Sequence, residues 1–211
     1  MYKKNFLRKI NRIYIISGFL LLLTALILIL IPVWPYIWYR IHPKETNNDE
    51  RKIVKVITET QIEYKELTNR GVPKLDTSLP EGLFVIIPKV NIDSPISTSK
   101  NYKEGLDKGT WIVSNYGTPE KDDLPIILAA HRFGYASWSV EKRNKISYYN
   151  LPRTEDGDEV YIYWNKRKYN YRIYKSEEST YITDYSADLI LYTCKFFNSP
   201  VRIFRYAERV N

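Results

Sequence analysis

The chain has 211 residues, 44% of them hydrophobic, and a formal net charge of +8, which allows one domain of ordinary size plus an appendage. The charge divides unevenly. Lys3, Lys4, Arg8, Lys9, Arg12 and Arg40 flank the first apolar segment, all 24 acidic residues lie after residue 40, and the chain beyond residue 40 carries only +2. A near-neutral main domain excludes a nucleic-acid binder.

Residues 1–12 form a basic tail. Ile13 to Ile31 contains no charged residue in 19 positions, roughly 28 Å as a helix, enough to cross a hydrocarbon core. Apolar character continues through Val33-Trp34-Pro35-Tyr36-Ile37-Trp38-Tyr39, whose aromatic rings suit the membrane–water interface. No small-x-small cleavage site follows. The segment 13–39 is therefore expected to be an uncleaved transmembrane anchor in contact with lipid. Five Lys and Arg precede the span, which predicts a cytoplasmic N-terminus and an extracellular remainder.

Residues 40–80 read as a linker and spacer. A helix is expected over Asp49 to Arg70, stopped by Gly71 and Pro73. His42 reads as a residue at the membrane surface. From 81 to 211 the pattern is mainly β. Apolar runs occur at Gly82–Pro88, Val90–Ile96, Thr110–Val113 and Leu124–Ala130. Asp158–Trp164 and Tyr169–Tyr174 flank the turn Asn165-Lys166-Arg167-Lys168. Leu189–Thr193 and Val201–Ala207 follow. The stretch Gly105 to Val113 reads as a turn and then a strand, and a short helix is expected within Ser137–Tyr149. About eight short strands at this spacing predict an antiparallel barrel or sandwich with short helices, preceded by one N-terminal transmembrane helix.

The chemistry centres on Cys194, the only cysteine in the chain. An extracellular thiol with no partner in its own chain is a liability unless buried or used. A strand end fixes a nucleophile's backbone while the loop beyond it leaves access. His131 ends the Leu124–Ala130 run and is the one histidine distant from the membrane. Its side chain titrates near neutral pH when unperturbed. Arg202 starts the run after the cysteine. Strand alternation puts Arg202, Phe204 and Tyr206 on one face and Val201, Ile203 and Arg205 on the other, so only one of Arg202 and Arg205 can face Cys194.

Thr193-Cys194, Ala129-Ala130-His131-Arg132 upstream and Arg202 downstream resemble the sortase family. So do Ile86-Ile87-Pro88-Lys89-Val90-Asn91-Ile92-Asp93-Ser94-Pro95-Ile96 and Gly109-Thr110-Trp111. The likeness covers roughly residues 82 to 210. Leu189 to Thr193 read Leu-Ile-Leu-Tyr-Thr, without the family's earlier Thr. The resemblance implies an eight-stranded β-barrel cysteine transpeptidase. Cys194 would attack a sorting signal of the LPxTG kind in a secreted protein, and a cell-envelope amine would resolve the thioacyl-enzyme. His131 would carry the proton and Arg202 would stabilise the oxyanion, with Arg205 as its fallback. Thr193 and Ala130 would contact substrate. An isolated thiol titrates near ~8.5, so a nearby cation would favour the thiolate.

Pilin-polymerising sortases carry an Asp-Pro-aromatic lid motif that residues 41–83 lack, so an anchoring enzyme is expected. No cofactor or metal is expected, Glu177, Glu178 and Asp184 being read as a solvated loop. Two other classes accommodate the same thiol: a secreted cysteine hydrolase and a non-catalytic envelope binding module.

Overall fold

A computed structural model describes residues 12, 14–28, 71–121, 123–135, 137–196 and 199–210. The chain divides into two units, Met1–Thr46 and Asn47–Asn211. In the first, residues 14–28 are helical with their side chains exposed. Among the described residues, no helix is long and apolar enough to cross a membrane. The basic tail before Arg12, the rest of the expected span and the spacer helix lie outside the described residues.

Eight strands close into a barrel: β1 (Phe84–Ile87), β2 (Ile92–Ser97), β3 (Thr110–Ile112), β4 (Ile126–Ala130), β5 (Glu159–Trp164), β6 (Arg167–Ser179), β7 (Leu189–Cys194) and β8 (Arg202–Arg209). Their order around the barrel is β1-β2-β3-β4-β7-β8-β6-β5. Closure removes the unpaired edges that an open sheet of this size would expose. Two helices interrupt the strands, α1 (Tyr102–Lys108) and α2 (Val140–Ile146), the second inside the expected helical stretch.

Two pairings depart from the antiparallel expectation. β2 pairs parallel with β3, and β4 parallel with β7. Parallel neighbours need a crossover. The segment with α1 supplies the first, and the chain through α2, β5 and β6 supplies the second.

Three local readings are corrected. Gly105, expected in a turn, lies inside α1. A Cβ there would come within 2.3 Å of Trp111 Cδ1, so the helix needs glycine to pack against that indole. Asn101 caps the helix by accepting from Lys103 N at 3.1 Å. The β5–β6 turn is two residues, not four. Asn165 and Lys166 both take positive φ (51° and 56°), the backbone of a tight hairpin, and Arg167 already pairs with Trp164. β6 runs on to Ser179, so Glu177 and Glu178 are strand residues opposite Phe204 and Ile203 rather than loop residues.

Two apolar clusters result from strand alternation. The barrel interior holds Val85, Ile87, Leu128, Val160, Ile162, Tyr169, Tyr171, Leu189 and Leu191 among others. The outer face of β4, β7 and β8 packs Ile127, Ile190, Tyr192, Phe204 and Tyr206 against Leu106 of α1, Trp111, Ile182 and Tyr185. The tyrosines of the β5–β6 hairpin split between faces: Tyr169 and Tyr171 are buried, while Tyr161 and Tyr163 are only partly covered.

The segment entering the barrel is held at one end of it. Arg209 Nη2 donates to Gly71 O at 2.9 Å, Arg167 donates to Pro73 O, and Asp76 N donates to Lys166 O at 2.9 Å. Arg209 and Arg202 are the two ends of β8, roughly 23 Å apart at strand rise. The chain therefore enters at the end away from Cys194.

Candidate active site

Cys194 is the last residue of β7, and its Cα partner across the antiparallel ladder is Arg202, the first residue of β8. Directly opposed residues of such a pair share a face. The next pair on that face, Tyr192 and Phe204, stacks with ring centroids 5.6 Å apart. The sulfur and the guanidinium thus stand on the outer face of the barrel, at its rim. Cys194 keeps 9% exposure and Arg202 keeps none.

Arg202 Nη1 donates to Ser199 O and, at 3.4 Å, to Val201 O. Its Nε and Nη2 are buried with no partner among the described residues. Two charge-bearing donors left open in this way are costly unless something accepts from them. They provide a preformed place for an oxygen that develops negative charge.

His131 follows β4 directly. In the parallel β4–β7 register Ala129 stands beside Tyr192, so two residues further on His131 stands beside Cys194. Such strands run ~4.8 Å apart. The His131 backbone is fixed from the other side by Tyr148 N, which donates to His131 O at 2.9 Å. The ring contacts Tyr135 edge-on, and Nε2 lies 3.1 Å from the Tyr135 hydroxyl. Burial lowers the His131 pKa from 6.5 to about 4, against a smaller upward pull from Asp107. The imidazole is therefore neutral at pH 7 and begins as a proton acceptor.

Arg205 lies on the opposite face. It pairs with the interior residue Leu191. Its Nε donates to Thr154 Oγ1 at 2.7 Å, and Nη2 donates to Pro152 O and Thr154 O at 3.2 Å. The guanidinium clamps the 152–154 turn, so the fallback assignment is corrected: Arg202 faces the cysteine and Arg205 does not.

Thr193 and Ala130 meet across the two strands. Both are buried, and the Thr193 hydroxyl donates to Ala130 O at 2.8 Å. Alternation turns Thr193 inward from Cys194, and Ala130 belongs to the interior cluster. Their bond ties β7 to β4 one residue before the cysteine and the histidine.

Sequence reasoning missed Tyr135 and gave Arg132 no role. Tyr135 sits four residues after His131 in a segment without regular structure, where spacing carries no signal. Tyr192 is pushed far above its ordinary value by burial, and the positive charge of Arg202 opposes that. Lys195 pairs with Glu178 of β6. Among the described residues, no group of three His, Cys, Asp or Glu side chains is placed to hold a metal ion.

The sortase-domain family model matches residues 85–210, the whole barrel. Sortase C1 of Streptococcus agalactiae, solved in complex with MTSET, is 24% identical, with 61% of this chain and 68% of that chain covered and a TM-score of 0.49. Sortase A from Corynebacterium diphtheriae is 18% identical, covers 63% of this chain and 61% of its own, and has a TM-score of 0.50. Sortase A of Listeria monocytogenes is 14% identical, with 61% and 86% covered and a TM-score of 0.49. At 18% identity the likeness to the Corynebacterium diphtheriae structure shows a shared fold alone. No curated protein sequence matches the chain. With the family model spanning more than half of the 211 residues, the chain belongs to the sortase family.

Proposed function

We propose that this protein is a membrane-anchored cysteine transpeptidase. It cleaves an LPxTG-like sorting signal of a secreted protein and transfers the acyl group to an amine of the cell envelope. The observation that carries the reading is Arg202 directly opposite Cys194, with two buried donors open and His131 on the adjoining parallel strand.

The reaction follows from those positions. Neutral His131 takes the thiol proton as Sγ bonds to the scissile carbonyl carbon. The carbonyl oxygen becomes an oxyanion, which accepts from Arg202 Nε and Nη2. The C–N bond then breaks, and His131 returns its proton to the departing amine. An incoming amine attacks the thioester, gives a proton to His131, and expels the sulfur.

Membrane attachment is supported by the charge-free 13–31 segment, by its helical part over residues 14–28 and by the preceding basic residues. Ile15, Ile16, Phe19, Leu20 and Leu21 of that helix are all exposed. In this reading the five basic residues before the span keep the N-terminus in the cytoplasm and the barrel lies outside, where sorting signals and envelope amines meet it.

The test is to incubate the detergent-solubilised chain with an LPxTG-type peptide and an excess of a small amine, and to resolve the products. Amide product that disappears in Cys194→Ala supports the reading. Free acid formed regardless of the amine indicates a hydrolase, and no turnover with any of a panel of sorting peptides indicates a binding module.

A further inference from the structure

The backbones of the cysteine and histidine are bracketed. The residues before them, Thr193 and Ala130, are joined by the bond described above. The residues after them, Lys195 and Arg132, are also joined: Arg132 Nη1 donates to Lys195 O. Arg132 is itself held in place, because Ser147 Oγ donates to its carbonyl at 3.1 Å. Its guanidinium carbon lies 5.4 Å from the centre of the Phe133 ring. Its Nε is buried with no partner among the described residues.

We propose that Arg132 is a positioning residue for the nucleophile: it locks the loop after Cys194 to the loop after His131, and its bond to the Lys195 carbonyl brings a second positive charge to the residue next to the cysteine. This rests on reading Cys194 as the nucleophile. Burial lowers the Arg132 pKa, and Tyr149, Cys194 and Glu178 oppose that shift. Arginine remains charged at any working pH even so.

The two duties ask for different chemistry. Favouring thiolate needs only positive charge near the sulfur. Holding the Lys195 carbonyl from the Arg132 backbone needs the reach of the terminal Nη1, and the lysine side chain is one atom shorter. Other charged or titratable groups around the sulfur are Arg202, His131, Lys195, Glu178, Tyr192 and Tyr149, and each is unchanged in the variants below.

The experiment compares the full chain with Arg132→Gln and Arg132→Lys. The pH dependence of Cys194 alkylation by iodoacetamide is read without any substrate, and kcat and KM for peptide-to-amine transfer are read separately. Arg132→Gln should move the alkylation midpoint up by about one pH unit and lower kcat roughly tenfold with little change in KM. Arg132→Lys should keep the wild-type midpoint while kcat stays reduced. A wild-type midpoint in Arg132→Gln overturns the proposal, as does a lowered melting temperature with both kinetic readouts unchanged. Should Arg132→Gln fail to fold, Arg132→Lys decides: reduced kcat at wild-type midpoint supports the lock, and full kcat overturns it. Wild-type protein that transfers no peptide defeats the transpeptidase reading instead, and the alkylation midpoints still judge Arg132.

Discussion

The neutral His131 makes a quantitative prediction about stability in mild acid. Burial lowers its pKa from 6.5 to about 4 in the folded protein. Between those values the unfolded chain binds a proton that the native state refuses, so stability is full above pH 6.5 and falls as pH drops toward 4. Once pH lies below both values the loss reaches about 3 kcal/mol. At pH 5 the same relation gives about 2 kcal/mol. His131 retains some exposure, and solvent screening reduces this to about 1 kcal/mol. The perturbation is a change from pH 7 to pH 5, above the range in which ordinary carboxylates titrate. Urea unfolding of the detergent-solubilised chain, followed by tryptophan fluorescence, gives the free energy at each pH for wild type and His131→Asn. Wild type should lose about 1 kcal/mol more than the variant across that interval. The subtraction removes His42 and every carboxylate, since both proteins contain them. Equal losses in the two proteins would refute the idea that the imidazole is held neutral by burial, and with it the starting protonation state of the proposed mechanism.

The two arginines of β8 should separate function from stability. Arg202→Met should reduce kcat/KM for transfer by at least ~10²-fold, while Arg205→Met should destabilise by about 3 kcal/mol through the lost Thr154 and Pro152 bonds; kinetics per folded molecule and urea unfolding read each effect. Gly105→Ala should cost about 1–3 kcal/mol, because a methyl group 2.3 Å from Trp111 Cδ1 must displace the indole or the helix; a melting temperature equal to wild type would contradict the packing described.

The parts of the fold legible in the sequence are those where side-chain pattern and backbone structure coincide. Leu189–Thr193 and Leu124–Ala130 are continuous apolar runs because both faces of β7 and β4 are covered, one by the barrel interior and one by α1 and Tyr185. Alternation separated Arg202 from Arg205, and the ladder with β7 decides between them. The distal half of β6 was illegible: Lys175 to Ser179 is held by its backbone pairing with β8, and its polar side chains point to solvent or lie half-covered. The Asn165-Lys166 turn lacks the glycine that normally marks such a hairpin. Gly105 in α1 answers to Trp111, a tertiary constraint that local sequence does not carry. At the site, Cys194 and His131 could be named because the chain has one cysteine and two histidines, and Arg202 because it opens the run after the cysteine. The bond from Thr193 to Ala130 was illegible because the two residues lie far apart in the chain and meet only through the β4–β7 pairing. Tyr135 and Arg132 act through contacts that exist only after the 131–150 segment folds back on β4 and β7.

The account stands on Cys194 as the atom that takes the acyl group. Intact-mass analysis of the full chain after brief exposure to a sorting-signal peptide, followed by peptide mapping, tests it directly. The expected result is a single thioester adduct on Cys194, lost on addition of an amine together with appearance of the new amide. An adduct on any other residue, or amide formation undiminished in Cys194→Ala, would contradict it.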